Sequence, residues 1–241
     1  MRTADEYLLD LSESPEQMLA NHAGRVFDAA WRVDFSAPGF CLIDLGPGVG
    51  SLDLRSLMLG LKGHLDGIAA DRGISPFRYR SMGRFDQQET TKFHLDGAPD
   101  RSLLMLGYEP SVVCSRLSLA DYARCAYDLG IEPRQFLRDY NPMFRRGEEL
   151  LAPQVTELPE PAEGHARILL INNSSLPYAE AGTNPLGVLH RAEIPDPSRD
   201  ERRIVNSIML VVADEPDSAE VGEEQRREFA TTDRISEKTS T

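Results

Sequence analysis

Apolar and polar positions alternate along this chain with two periods. A helical spacing dominates near the start. Ser14-Pro15-Glu16 reads as a helix opening, with Ser14 as the cap and Pro15 at the first helical position, and the pattern runs to about Trp31. Gly39 to Leu45 is a short apolar strand, and Gly46 to Gly50 is a loop. Leu54, Leu57, Met58, Leu61 and Leu65 then recur at amphipathic-helix spacing between Ser51 and about Ala70, with Gly73 just past the helix end. From Phe77 the period drops to two. Phe77–Phe85, Thr90–His94, Leu103–Tyr108 and Ser111–Leu117 read as short strands broken by Gly or Pro. Ser118-Leu119-Ala120-Asp121 reads as a capping box that starts a helix to about Leu129, followed by a second helix over Pro133–Tyr140. Pro142–Gly164 is a polar connection. Strands resume at Ala166–Asn172, Gly187–Ala192 and Arg203–Ala213.

Helices first, then many short strands with a helical interruption, predict a mainly β fold with flanking helices. The architecture expected is a double-sheet jelly roll (double-stranded β-helix) with N-terminal helices and a helical insertion at about 118–140. Residues 1–213 form one domain on this reading. Residues 214–241, rich in Asp, Glu, Ser and Thr and poor in core formers, are expected to be a disordered acidic tail.

Composition narrows the function classes. The 241 residues carry a net charge of −13, which disfavours nucleic acid and anionic membranes as partners because both need basic patches. The three cysteines, Cys41, Cys114 and Cys125, are scattered and form no C-x-x-C pair, as in a reducing compartment. No apolar run is long enough to span a bilayer, and Met1–Asp10 lacks the apolar core of a secretory signal. A soluble cytoplasmic protein is expected, with a small-molecule partner; oligomeric state is not legible.

The chemistry-bearing residues are few. His94-Leu95-Asp96 lies at a strand end before the turn-forming Gly97-Ala98-Pro99-Asp100, and strand alternation puts both side chains on one face. His190 ends a separate strand. Two imidazoles and a carboxylate from two strands can hold one face of a ferrous ion and leave the other open. Arg202 and Arg203 follow, either able to grip a carboxylate by a bidentate hydrogen bond. H-x-D alone is a weak signal: His64-Leu65-Asp66 repeats it inside the amphipathic helix, where positions i and i+2 diverge and a solvated face is the simpler reading. For His94 and Asp96 the plain alternative is a strand end and turn, and for His190 a strand histidine bonded to a carbonyl. The set taken together favours the metal.

At these residues the sequence resembles the iron(II)/2-oxoglutarate-dependent dioxygenases, in the branch of isopenicillin N synthase and the plant flavonoid and gibberellin oxidases. The likeness runs from about Gly39 to Leu210. Gly39-Phe40-Cys41-Leu42-Ile43-Asp44 resembles the branch's N-terminal strand. Phe93-His94-Leu95-Asp96-Gly97 with Leu103–Leu106 resembles its H-x-D-x-G…LTLL pattern. Ile168–Asn173 resembles the strand before the distal histidine, Leu189-His190-Arg191-Ala192 resembles xHRV, and Glu201–Ile208 resembles the strand bearing the cosubstrate arginine. The step from His190 to either arginine is longer than the family's usual one, and the 118–140 insertion is extra.

What the resemblance implies is concrete. His94, Asp96 and His190 would bind Fe(II). 2-Oxoglutarate would chelate it, with Arg203, or else Arg202, holding its far carboxylate. O2 would take the last position, with oxidative decarboxylation to succinate and hydroxylation as the expected outcome. Arg203 is favoured because it shares a strand face with Val205 and Ser207. Asp96 argues against a halogenase. Tyr79 and Asn172 are second-rank candidates for the cosubstrate, and Arg84 for an acidic substrate. The alternatives are an iron oxidase of the same fold without 2-oxoglutarate, and a metal-free jelly-roll binding or stress-response protein.

Overall fold

The computed structural model describes residues 6–10, 15–178, 183–215 and 220–235; the expected cap Ser14 lies outside them. In chain order the elements are β1 (Leu8–Asp10), α1 (Pro15–Ala30), β2 (Phe40–Pro47), α2 (Ser51–Asp71), β3 (Phe77–Asp86), β4 (Ser102–Tyr108), β5 (Arg116–Ala120), α3 (Tyr122–Asp128), α4 (Pro133–Asp139), α5 (Arg145–Leu151), β6 (Val155–Glu157), β7 (His165–Asn172), β8 (Leu189–Glu193), β9 (Ile204–Val212) and α6 (Glu223–Thr231). The strands make a six-stranded sheet, β1-β2-β7-β4-β9-β3, and a three-stranded sheet, β6-β5-β8. The protein is sheet-rich with several helices.

The strands β4, β7 and β9 are near-continuous apolar runs because both of their faces are covered. Alternate residues go to opposite cores. Ile43, Leu103, Met105, Ile168, Leu170, Ile208 and Leu210 face the helices, against Phe27, Leu54, Met58 and Leu61. Leu42, Leu104, Leu106, Leu169, Ile171, Val205 and Met209 face the small sheet, against Leu117, Leu119 and Ala192. A third cluster, with Phe93, Tyr122, Phe136 and Leu189, seats α3 to α5 beyond the small sheet.

Five local expectations change. Ser118 to Ala120 is strand, paired with Glu157–Val155 on one side and Arg191–Leu189 on the other. The helix starts later, capped by the Asp121 side chain, which accepts from the Arg124 N–H at 2.9 Å. A two-sided ladder outweighs a local cap signal. Thr90–His94 is not a strand but an edge segment with a single bridge, His94 to His190. In 111–117 only Arg116 and Leu117 are strand, and the 142–164 connection contains α5 and β6. Finally, residues 220–235 are not a disordered tail: α6 forms there, with Phe229 and Val221 buried in the helix-side core. No helix among the described residues is long and apolar enough to cross a membrane.

Candidate metal centre

The edge of the small sheet builds this site. The segment before Asp96 runs beside β8 by reciprocal main-chain bonds: the His94 N–H donates to the His190 carbonyl at 3.2 Å, and the His190 N–H to the His94 carbonyl at 3.1 Å. The Thr91 hydroxyl oxygen accepts from Ala192 N at 3.0 Å. The pairing sets the two imidazoles side by side, ring centroids 4.2 Å apart. Asp96 is fixed from the other sheet. The Asn173 side chain accepts from the Asp96 N–H at 3.0 Å and donates to its carbonyl at 3.0 Å, with a further bond to Ser102 Oγ at 3.2 Å.

His94, Asp96 and His190 thus offer three ligand atoms that all lie within 4.8 Å of one another, the one such group among the described residues. His94 Nδ1 is bonded to the Lys92 carbonyl at 2.7 Å, so it carries the proton and leaves the Nε2 lone pair for the site. Asp96 Oδ1 lies 3.3 Å from His94 Nε2 and 4.0 Å from His190 Nε2. The donor set, two neutral-capable imidazoles and one carboxylate, fits a first-row divalent ion. His190 Nδ1 is buried without a hydrogen-bond partner.

Electrostatics separates the two histidines. Burial pulls the His94 pKa down, but its bonds to Asp96 and to the Lys92 carbonyl more than offset that, and the net shift is upward. Burial, then the neighbouring His94 charge, push His190 down to about 4, so it stays neutral near neutrality. Burial works against the Asp96 carboxylate, yet the His94 bond and the His190 and His94 charges hold its pKa below the ordinary value.

A cavity of about 150 Å³ opens onto the triad, walled by the large sheet through Phe85, Leu106, Tyr108, Leu169 and Val205 and by the small sheet through Leu117, Leu119 and Ala192, with Gln87 at its side. Arg203, 3% exposed, does not line this cavity but lies behind its Tyr108 wall. Its Nη1 donates to Gln87 Oε1 at 2.5 Å, and its guanidinium lies 5.1 Å from the centre of the Tyr108 ring. Arg202 is exposed, and its carbonyl accepts from the Ser111 hydroxyl at 2.8 Å. The structure therefore separates the two arginines.

The other candidates face elsewhere. Asn172 Nδ2 donates to the Ala30 carbonyl at 3.1 Å on the helix side. Tyr79 lies in the helix-side core under Lys62 and Arg226. Arg84 forks onto Glu109 at 3.0 Å through both Nε and Nη2. Strand alternation is the physical reason: all three have the parity of the helix-facing set. His64 is exposed on α2, and Asp66 accepts from Phe77 N at 2.9 Å, so the second H-x-D makes no site. Asn173, Gln87 and Tyr108 were missed. For Asn173 the signal was parity, since it continues Leu169 and Ile171 on the cavity side.

No family model and no curated protein matches the chain. Among solved structures, it is similar to a crystal structure of asparagine oxygenase. That match has 10% identity and a TM-score of 0.45, covering 86% of this chain and 93% of that one. A second structure, asparagine oxygenase in complex with Fe(II), 2S,3S-3-hydroxyasparagine and succinate, matches with 10% identity and a TM-score of 0.43 over the same shares.

Proposed function

We propose that this chain is an Fe(II)/2-oxoglutarate-dependent oxygenase of a small molecule, built on a jelly roll whose two sheets enclose the site. The observation that carries this reading is the convergence of His94, Asp96 and His190 on one cavity, with the buried Arg203 just behind the Tyr108 that walls it. His94 and His190 would hold iron through Nε2 and Asp96 through a carboxylate oxygen. Arg203, with Tyr108 beside it, would hold the far carboxylate of the oxo-acid. At about 15 Å³ per water-sized centre, the cavity has room for about ten non-hydrogen atoms, the size of a five-carbon oxo-diacid, which leaves the substrate at the mouth. Iron with 2-oxoglutarate supplies O2 activation coupled to decarboxylation when bound. The protein's part is to fix the ligands, place the oxo-acid and keep water out with Leu106, Leu169 and Val205. The free cysteines support a reducing, cytoplasmic setting, and the net charge of −13 supports a substrate other than nucleic acid.

Anaerobic titration with Fe(II) and 2-oxoglutarate tests this. The expected result is a visible metal-to-ligand charge-transfer band that needs both additions and is lost in His94→Ala. Arg203→Met should weaken 2-oxoglutarate roughly 10- to 100-fold with iron binding kept, the cost of one charge-assisted contact, while Arg202→Ala should change nothing. A band that survives His94→Ala would overturn the assignment. Iron binding without the band would point to the oxidase that needs no 2-oxoglutarate, and no iron binding to a metal-free protein.

A further inference from the structure

Tyr108 and Leu117 form a wall with a cavity on each side: the metal cavity in front, and a second, of about 80 Å³, behind. Arg167 and Arg203 both line the second one, and each is 3% exposed. Strand register explains how they meet. Arg167 of β7 stands opposite Tyr108 of β4, and Tyr108 stands opposite Val205 of β9, one side-chain step from Arg203. Two guanidiniums therefore flank one tyrosine at the end of the sandwich.

A buried guanidinium is costly unless an anion compensates it. Here none does at close range: among the described residues no carboxylate forms an ion pair with either arginine. Arg167 donates to the Pro159 carbonyl at 2.8 Å, and its Nε is buried with no partner. Arg203 has the Gln87 amide oxygen and the Tyr108 ring. Asp44 and Asp86 act on them only from further off. Asp44 is taken by His165 at 2.7 Å and by the Gly46 N–H at 3.0 Å. Asp86 is taken by the Arg203 main-chain N–H at 3.0 Å and by Gln88 at 2.9 Å. Ser111, Ser115 and His165 complete the polar lining together with two glutamates, Glu163, which is exposed, and Glu109, whose carboxylate is taken by Arg84 and Asn206.

We propose that the pocket behind Tyr108 is a binding site for one small anion, held between Arg167 and Arg203. At about 15 Å³ per water-sized centre it has room for about five non-hydrogen atoms, which admits a phosphate or a short carboxylate and excludes a whole oxo-diacid. The metal ligands take no part in it, and Arg167 belongs to it alone.

Calorimetric titration of the metal-free full chain with inorganic phosphate, and separately with acetate, at constant ionic strength, tests the site. One saturable site is expected for at least one of the two anions. It should weaken at least tenfold in Arg167→Gln and be unchanged in His94→Ala, which keeps this outcome separate from the fate of the iron reading. Phosphate alone would assign a phosphoryl-type ligand, acetate alone a carboxylate. Circular dichroism checks each variant's fold. If Arg167→Gln does not fold, Ala162→Phe, which fills the pocket from its loop wall, should abolish binding. No saturable binding of either anion, binding that survives both pocket variants, or binding lost in His94→Ala would overturn the proposal.

Discussion

Asn173 holds the main chain of Asp96, the proposed carboxylate ligand, from the other sheet. Its amide closes a ring of bonds on the Asp96 main chain, 3.0 Å on each side, and reaches Ser102 as well. Asp96 follows an edge segment that has only one bridge of its own, so its carboxylate is aimed chiefly by that amide. Asn173→Ala should weaken metal affinity 10- to 100-fold, as for other outer-shell partners. It should also cost about 2–3 kcal/mol of stability, because buried polar groups lose their partners. Parallel metal titration and urea unfolding would check both; full metal affinity in a destabilised variant would reduce Asn173 to a structural residue. At this scale the chain was half legible. His94, Asp96 and His190 could be picked out because their chemistry is rare in the sequence. Asn172 and Asn173 are the same residue type, and only strand parity separates the one that faces the helices from the one that holds Asp96.

At the scale of elements, Glu109 ties four of them together. Its carboxylate accepts both prongs of Arg84 from β3, Ser51 Oγ at the start of α2 at 2.7 Å, and Asn206 Nδ2 from β9 at 3.0 Å, while it follows directly on β4. Burial alone would raise its pKa, but these donors bring it below the ordinary value. A carboxylate with a depressed folded pKa contributes stability that is complete above the unfolded value, about 4.3, and is lost as pH falls through the folded one. Glu109→Gln should therefore destabilise the protein at pH 7 by about 2–4 kcal/mol, since it leaves Arg84 uncompensated. The deficit should shrink in strongly acidic solution, where the wild-type carboxyl is itself protonated. Urea midpoints of both proteins across that range would show it, and a pH-independent gap would refute the linkage. Arg84 was legible as special, but its partner lies well along the chain, so a substrate role and a structural one looked alike. The same distance hid β5: Ser118 to Ala120 carry a cap signal, and their ladder partners, Glu157–Val155 and Arg191–Leu189, are remote in sequence. The two-sided strands β4, β7 and β9 needed no such information, because unbroken apolar runs state their own burial.

For the whole molecule, the division of labour follows from the two faces of the large sheet. One face walls the cavity, across from the small sheet whose edge bears His94 and His190. The other carries the helices, and α6 with the residues after it completes that layer. Phe229 and Val221 are 8% and 5% exposed in the helix-side core. Asp233 bonds the fully buried Arg55 at 3.1 Å, and its carbonyl accepts from Arg84 at 2.6 Å. Composition concealed this, because an acidic stretch with few large apolar residues reads as solvated. A chain ending at Glu215 should lose the burial of both side chains, roughly 1.5–3 kcal/mol each. It should melt roughly 10 °C lower, at about 2–4 °C per kcal/mol for a domain of this size. Trp31, the single tryptophan, packs in the same core and reports the change by fluorescence. Metal affinity should survive the truncation, because His94, Asp96 and His190 are held by the small sheet and Asn173, which α6 does not touch. An unchanged melting temperature would return these residues to solvent. A folded truncation that no longer binds metal would mean that the helix layer reaches through the sheet to the site, against the separation of faces that the strand parity sets.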